Sequence, residues 1–399
     1  MTVKTISPTW GITLLLAIIS AIQPLSTDMY LPSLLSIAAY FNTDMSQVQF
    51  TLSIFMVGFA IGQIFYGPFA DKYGRKPLLL ISLLIYLAGV VVCLTAEHIE
   101  FLIFGRFLQA LGGSGPVVLS RAIVRDMLKG AEAGNMLAKM GFIMGFVPLI
   151  APVFGGFFET YYGWRSHFYV FLAFGVMLLF LVMWRLPETN TNKTTAKLSP
   201  RAFVKIYDGL WSSLIFRFFA IRIALAYGGL FAFITGSSYY IQTRFELPPH
   251  IFGFVFSFVV LGFLAGTLIS ARFTIKLGLY KIVYIGAIFQ VIGGISMLLL
   301  HSLGAINVAQ IALPMFLYLL GNGIVMPQSY AGSMADFPHK AGAASSLAGV
   351  IQVATGAVIG SLVGLYIESY TIILPLVIMG LSIVNFVSCH RHRHHKLSS

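Results

Sequence analysis

The stretch GPFADKYGRKP, Gly67–Pro77, is the most distinctive part of the chain, because it places a short, highly charged turn between two long apolar runs. It combines glycines with one acidic and three basic side chains. Charged side chains are costly at the edge of a membrane, so such a turn predicts a specific role. The alternative is that its basic residues only set the orientation of the neighbouring helices. The spacing of the glycines, the acid and the bases favours the specific role.

The composition indicates an integral membrane protein built from helices. Hydrophobic residues make up 58% of the chain and charged residues 10%, whereas soluble domains carry about 25% charged residues. The chain has no polar segment long enough for a soluble catalytic domain, and its apolar runs exceed the ~10-residue alternating strands of an outer-membrane barrel. The first run lacks a small-residue cleavage site, so we interpret it as a retained span. The two cysteines, Cys93 and Cys389, do not indicate a disulfide framework.

Apolar runs of about 20 residues predict an all-α membrane protein with twelve transmembrane helices. We place these spans at residues 10–38, 47–70, 77–96, 101–122, 136–158, 166–186, 214–240, 250–271, 279–301, 307–330, 342–366 and 370–389. Lysines and arginines fall in alternate loops and at both ends of the chain, and the opposite loops hold only Arg165 and Arg244. By the positive-inside rule, both termini are cytoplasmic. The same distribution explains the net charge of +12.

A polar central loop divides the chain into two halves. We predict an N-terminal six-helix bundle at 1–186, a cytoplasmic linker at 187–212 with a short surface helix near 201–210, and a C-terminal six-helix bundle at 213–389. Two bundles joined in this way are typical of transporters that bind substrate near the midplane. The tail at 390–399 is rich in histidine and arginine; we interpret it as a cationic anchor at anionic lipid, with weak metal binding as the alternative.

One acidic residue, Asp28, lies well inside the first apolar run. The run from Trp10 to Phe41 would form a helix of about 45 Å, longer than the roughly 30 Å that the hydrocarbon core requires. A carboxylate there costs roughly 2.5–3.5 kcal/mol, so its presence predicts a proton or cation site in a transport path. The alternative places Asp28 near the outer surface, where helix breaks at Pro24 and Pro32 would bring it to water.

The fourth span contains a basic residue, Arg106, in an otherwise apolar helix. A buried guanidinium needs an acceptor, and Asp28 is the acid that the sequence places inside the membrane. Arg106 would then set how readily Asp28 releases its proton, because burial disfavours a charged carboxylate and a nearby cation favours it. Structural pairing without a role in proton transfer is the alternative.

Gly67–Pro77 resembles the G-x-L-A-D-x-x-G-R-K signature of the major facilitator superfamily, with Phe69 in place of leucine. The resemblance implies a major facilitator fold and a conformational latch at the cytoplasmic side. In this latch Asp71 would face the N-terminus of the eleventh span, where free N–H groups favour an anion, and Arg75 would pair with Asp126. The latch residues implied by the resemblance are Gly67, Asp71, Gly74, Arg75, Lys76 and Asp126.

Two further spans carry partial signatures of the same superfamily. The segment that begins at Arg106 resembles its R-x-x-Q-G-x-G motif, with Ala110 in place of a glycine. The fifth span resembles the G-P-x-x-G-G motif of its proton-coupled exporters, with Ala151 in place of the first glycine. The residues of this antiporter helix are Pro148, Pro152, Gly155 and Gly156. A glycine- and proline-rich packing helix without a coupling role is the alternative.

The stretches 28–32 and 336–349 look like those of the drug:proton antiporter group, in particular its Bcr/CflA branch. This resemblance implies export of bicyclomycin, phenicols or related small amphipathic compounds. We therefore predict a proton-coupled antiporter that works by alternating access, with Asp28 and Arg106 as proton-coupling residues. Our candidates for the substrate cavity are Tyr30, Gln109 and Arg222. A proton-coupled uptake symporter for a small metabolite is the alternative.

The sequence also indicates which partners and which location to expect. We expect no enzyme activity, since the histidines lie far apart in the sequence, and no ATP site, since no G-x-x-x-x-G-K-[ST] motif occurs. The expected partners are a drug substrate, protons and the lipid bilayer, with the proton gradient as energy source. We expect no cofactor, no metal and no nucleic acid. A monomer in the bacterial inner membrane is the predicted form.

Overall fold

The computed structural model describes residues 10–128, 130–190, 208–304, 307–337 and 341–397. Within these ranges the regular structure is helical and contains no strand. The predicted surface helix near 201–210 lies mostly outside the described residues, as do the side chains of the tail beyond Arg391. The backbone of the last helix continues to Leu397, past the predicted end of the span at residue 389.

The N-terminal half contains nine described α-helices. They are α1 Trp10–Ser20, α2 Ile22–Asp28, α3 Leu34–Phe41, α4 Met45–Tyr73, α5 Arg75–Leu94, α6 Ile99–Met127, α7 Gly130–Met144, α8 Val147–Tyr162 and α9 Arg165–Arg185. A 3₁₀ turn, Leu31–Ser33, separates α2 from α3. The first span is therefore broken twice, because Pro24 and Pro32 cannot donate the backbone hydrogen bonds that a continuous helix requires.

The C-terminal half, as far as it is described, contains six long helices. They are α10 Leu214–Tyr239, α11 Pro249–Leu277, α12 Leu279–Ser302, α13 Ala309–Ala335, α14 Ala341–Tyr366 and α15 Ile373–Leu397. A π-helical turn, Tyr240–Arg244, extends α10.

Eleven helical segments of the described chain are long and apolar enough to cross a membrane. The predicted fifth span, 136–158, is absent from this set because it is divided into α7 and α8, of 15 and 16 residues. The break falls at Gly145 and Phe146, just before Pro148, which cannot donate to the carbonyl of Met144. The kink expected from the prolines is confirmed. Together α7 and α8 cover the predicted fifth span, residues 136–158.

Small residues bring the helices of each half into close contact. In the N-terminal half, Gly89 of α5 lies against the backbone of Gln109 on α6. In the C-terminal half, an added Cβ at Gly293 of α12 would lie 2.6 Å from the Pro314 carbonyl oxygen of α13. Without water to drive association inside a membrane, such close packing supplies much of the attraction between helices.

The two halves meet along a seam that we define by the pairs α8–α11 and α4–α14. Polar contacts hold this seam on the side opposite the basic loops: Gln49 Nε2 donates to the Thr235 carbonyl oxygen at 3.0 Å, and Gln242 Nε2 donates to that of Pro32 at 3.0 Å. The backbone N–H of Met45 also donates to Glu368 at 3.0 Å. The halves are therefore closed against each other at this outer side, and we call this part of their contact the outer seam.

Candidate functional site: a central cavity open to the basic side

A cavity of about 720 Å³ lies between the two halves. Its deep part is lined by Asp28 from the first span and by Tyr227 from α10, and its mouth by Asp71, Arg125 and Asp126. These mouth residues belong to the ends of α4 and α6 that carry the basic loops. The cavity opens on the side of the basic loops, which the positive-inside rule predicts to be cytoplasmic, while the outer seam is closed.

Asp28 ends α2 and is 5% exposed on the wall of this cavity. The hydroxyl of Thr27 donates to its Oδ1 at 2.9 Å. Tyr227 lies within electrostatic reach from the opposite half, and its own hydroxyl contacts the sulfur of Met56 at 3.6 Å. Asp28 therefore lies on the cavity wall rather than in an exposed position. The role of Asp28 in proton coupling stays a prediction.

Arg106 is fully buried, but the expectation that it pairs with Asp28 is wrong for this conformation. Its NH1 group donates to the carbonyl oxygen of Ser26 at 3.0 Å and to Gln109 Oε1 at 2.7 Å. The guanidinium carbon lies 4.4 Å from the ring centre of Tyr30, so a cation–π contact replaces an ion pair. In the described part of the chain, neither of the two ion pairs includes Asp28.

The three predicted substrate-cavity residues do not line the cavity. Tyr30 and Gln109 are buried inside the N-terminal bundle around Arg106, and the hydroxyl of Tyr30 bonds to Thr51 at 2.9 Å. Arg222 points away from the cavity toward the last helix, where NH2 donates to Ser388 Oγ at 3.0 Å. All three were chosen for proximity in sequence or depth in a span, and neither property decides which side of a helix faces the cavity.

The polar and aromatic groups that do line the cavity were missed by the sequence analysis. Gln63 and Arg121 contribute from the N-terminal half, and Tyr227, Tyr330 and Gln352 contribute from the C-terminal half. The hydroxyl of Tyr330 donates to Gln352 Oε1. The available signal was a polar or aromatic residue within an apolar span, but many such residues instead bind a neighbouring helix.

The turn between α4 and α5 contains the predicted contact between Arg75 and Asp126, with Nε 2.8 Å from Oδ2. The Oδ1 of Asp71 is 2.6 Å from Arg75 NH1, one helical turn along the chain, so Arg75 bridges two acids. The contact of Asp71 with the N-terminus of the eleventh span stays a prediction, because residues 338–340 lie outside the described residues. Lys76 donates instead to the Met183 carbonyl oxygen at 2.9 Å. The contacts are present, and the role of this turn as a latch stays a prediction.

The start of the linker docks on the same turn. Glu188 accepts the backbone N–H of Arg75 at 2.9 Å and that of Lys76 at 3.2 Å, so it caps the N-terminus of α5. Asn190 Nδ2 donates to the Asp71 carbonyl oxygen at 3.0 Å near the end of α4. Gly74 adopts φ +111°, and a Cβ there would lie 2.5 Å from the carboxylate of Glu188. Glycine is therefore required at this position.

The helix α8 combines the predicted prolines and glycines at the junction of three segments. Pro148 lines the cavity, whereas Gly155 lies directly against the backbone of Met29, next to Asp28. Gly156 lies against Pro249 of α11, where an added Cβ would approach the carbonyl oxygen to 2.5 Å. Gly67, at the other end of the cavity, lines its mouth. The described residues contain no group of three or more His, Cys, Asp or Glu side chains that could hold a metal ion.

Comparison with known proteins agrees with this architecture. The family model described as Major Facilitator Superfamily matches residues 16–361. The chain is 30% identical over 350 residues to the "Bicyclomycin resistance protein homolog" of Haemophilus influenzae, covering 88% of each. It is 28% identical over 339 residues to the "Multidrug resistance protein MdtL" of Salmonella schwarzengrund, covering 83% of this chain and 82% of that one.

Solved structures resemble the fold. A D-xylose-proton symporter superposes with a TM-score of 0.76 at 16% identity, covering 95% of this chain and 98% of that one. The xylose transporter XylE from E. coli, in a partially occluded inward open conformation, superposes with a TM-score of 0.75 at 15% identity, covering 95% of this chain and 96% of that one. Members of the matched family are transporters rather than enzymes. This chain is a multi-pass membrane transporter that belongs to the Major Facilitator Superfamily.

Proposed function

We propose that the protein exports small amphipathic, drug-like compounds from the bacterial cytoplasm across the inner membrane in exchange for protons. The proposal rests on Asp28, a buried carboxyl group on the wall of the cavity between the halves. Relatives named for bicyclomycin resistance and multidrug resistance support the substrate class. The resemblance of residues 28–32 to the first-span signature of the drug:proton antiporter group supports the coupling to protons.

The cavity suits an amphipathic compound of drug size. Its volume of about 720 Å³ falls within the roughly 300–1,000 Å³ typical of small-molecule sites. Phe59 and Phe231 provide apolar surface, while Tyr330, Gln352 and Arg121 provide hydrogen-bonding groups. Such a mixture would bind an apolar or aromatic body with a few polar substituents.

Proton exchange would follow from the position of Asp28 relative to the seam. In the cytoplasm-facing form its carboxyl group is open to the cavity, and the outer seam separates it from the other side of the membrane. A compound that binds near Asp28 and Tyr227 would compete with the proton for the carboxylate. Closing of the mouth and opening of the outer seam would then expose Asp28 to the outside, where it would bind the next proton.

Arg106 would act on Asp28 through a change in the first span. Its Nε and NH2 groups have no hydrogen-bond partner among the described residues. Buried donors without partners are unfavourable, so an alternative arrangement that gives them an acceptor is stabilised. A shift of the broken first span in the outward-facing form would bring the Asp28 carboxylate nearer to these donors.

The membrane potential would supply the energy, and no ATP or cofactor is required. Each proton that moves inward gains about 2.3 kcal/mol per 100 mV. In one-for-one exchange this corresponds to roughly fifty-fold export of a neutral compound, before any pH gradient is added. The two halves of a single chain surround one cavity, so a monomer would suffice.

Substitution of Asp28 tests the proposal. In proteoliposomes with an acidic interior, wild-type protein in the inverted orientation should accumulate a bicyclomycin- or phenicol-type compound, and Asp28→Asn should abolish this accumulation. Exposed Asp44 provides the matched control, since Asp44→Asn removes an equivalent charge outside the cavity. Accumulation at the wild-type level in Asp28→Asn would contradict the proposal. Movement of substrate in the same direction as the proton would instead support the uptake symporter.

A further inference from the structure

A buried histidine of the N-terminal half has no part in the mechanism above. His167 lies on the first turn of α9, and its side chain is fully buried. Its Nε2 is 3.0 Å from the carbonyl oxygen of Gly155, and its Nδ1 is 2.9 Å from that of Trp164. Neutral imidazole carries one N–H group and cannot donate to both carbonyls, whereas imidazolium can. The surroundings of this ring therefore suit a protonated histidine.

The neutral ring also has a suitable partner. The hydroxyl of Ser33, which is fully buried in the 3₁₀ turn of the first span, lies 3.1 Å from His167 Nδ1. A hydroxyl can donate to a bare ring nitrogen or rotate to let that nitrogen donate elsewhere. Ser33 thus provides a hydrogen bond for the neutral ring, and Trp164 provides one for the protonated ring.

A buried carboxyl group lies close enough to act on this histidine. Glu159 of α8 is 8% exposed, and its Oε2 has no hydrogen-bond partner in the described part of the chain. It interacts electrostatically with His167 and with Tyr30 of the first span. An acidic side chain beside the ring can compensate the charge that the ring gains on proton binding.

The other titratable groups around α9 have partners elsewhere. Arg165, two residues before the histidine, donates to the carbonyl oxygens of Leu94 and Ala96. Tyr86 of α5 faces α9 at Gly175, about two turns deeper. Glu159 is therefore the acidic group of the surrounding helices that interacts with His167 in the described structure.

The histidine is linked to the outer seam through α8. Its acceptor Gly155 lies against the backbone of Met29, and the next residue, Gly156, lies against Pro249 of α11. Opening of the seam must separate α8 from α11, which moves the segment that carries both Gly155 and Glu159. The contacts that enclose His167 would then loosen at the moment when the outer side gains access.

We propose that His167, together with Glu159, forms a second proton-binding site at the outer end of the N-terminal half. The step is a simple transfer, in which a ring nitrogen of neutral imidazole takes a proton from water and later returns it. The presence of this site rests on the two carbonyl oxygens within hydrogen-bond distance of the ring and on the electrostatic contact with the buried Glu159. Its use during exchange, to couple outside pH to opening of the seam, rests on the proposed function.

The test is ¹⁵N nuclear magnetic resonance of the full-length protein, labelled at histidine and placed in lipid nanodiscs. The ring nitrogens report directly whether each histidine is protonated on one or both sides. The signal of His167 is identified by its loss in His167→Gln, with exposed His98→Gln as the matched control. Between pH 5 and 9, we expect His167 to change from imidazolium to the neutral form. In Glu159→Gln, we expect its affinity for the proton to fall about tenfold.

A neutral ring over the whole pH range would overturn the proposal, and so would an imidazolium that never releases its proton. An unchanged titration in Glu159→Gln would exclude that carboxyl group from the site. Transport separates this result from the proposed function. If His167 titrates normally in Asp28→Asn while wild-type protein shows no drug–proton exchange, the proposed function fails and the second site stands. If exchange is intact but its dependence on outside pH is the same in His167→Gln and wild type, the gating role fails.

Discussion

The contact between α8 and α11 provides a direct way to shift the protein between its two openings. Gly156 of α8 lies against α11 at the closed outer seam, where an added Cβ would be 2.5 Å from the Pro249 carbonyl oxygen and 2.6 Å from the His250 Cα. Both neighbours are backbone atoms, which cannot rotate aside as a flexible side chain would. Gly156→Ala should therefore destabilise the closed seam and favour the outward-facing form.

The size of the effect follows from the geometry of this contact. Ordinary van der Waals contacts at a Cβ begin near 3.4 Å, so the methyl group would require α8 and α11 to separate by about 1 Å. Overpacking of this kind costs typically 1–3 kcal/mol. A free-energy difference of that size changes the ratio of two conformations by roughly 5–150-fold. A population that is mostly closed at the outer seam would therefore become mixed or mostly open.

Distances between spin labels on the outer side would measure this change. Glu97 and Leu303 are exposed in outer loops of the two halves and can carry the labels, after Cys93 and Cys389 have been replaced by serine. We expect Gly156→Ala to increase the population with a long distance between the labels. Gly380→Ala is the matched control, because no atom lies within 4 Å of its added Cβ.

The same distance distribution in Gly156→Ala and Gly380→Ala, in folded and membrane-inserted protein, would show that the contact at Gly156 does not determine whether the outer seam is closed. A loss of folded protein in Gly156→Ala alone would be detected by size-exclusion chromatography. In that case Gly253→Ala, which would place a Cβ against the Pro152 carbonyl oxygen from the opposite side of the seam, provides an independent variant.

Two further substitutions address the charged groups. Asp71→Asn removes one of the two acids that Arg75 bridges. We therefore expect turnover in proteoliposomes to slow, while substrate affinity, measured by equilibrium binding, stays close to that of the wild type. A defect in substrate binding without slower turnover would exclude a latch. Arg106→Ala removes the donor that Ser26 and Gln109 share, so we expect a loss of about 2–4 kcal/mol of stability and severely impaired transport. Unchanged melting and export in this variant would show that Arg106 is dispensable.

The ionisable residues show how far prediction from the sequence extends. Asp28 was predicted to lie inside the membrane, because the apolar run from Trp10 to Phe41 extends to both sides of it, and it lies on the cavity wall. Arg106 was also predicted to be buried, but its acceptors are a backbone carbonyl and Gln109. Every residue offers a backbone carbonyl, so a pairing of this kind leaves no mark in the sequence.

Glu159 and His167 illustrate a different limit. Both lie close to the ends of predicted spans, where charged and polar side chains are common, and the sequence analysis assigned neither of them a role. Burial of both depends on how α8 and α9 pack against the turn after Asp28. Similarly, the cavity candidates Tyr30, Gln109 and Arg222 were wrong because helix rotation, which depends on all neighbouring helices, decides which side chains face the cavity.

Composition, the lengths of the apolar runs and the placement of basic residues were sufficient to establish a helical membrane protein, and the turn at Gly67–Pro77 indicated its superfamily. These features are local, because a run of about 20 apolar residues must cross the membrane whatever it later contacts. Only the packed helices show four further features: the partners of Arg106, the lining of the cavity, the docking of Glu188 on α5 and the burial of His167. Each of them joins residues that are distant in the chain, and their distances depend on the arrangement of both halves at once.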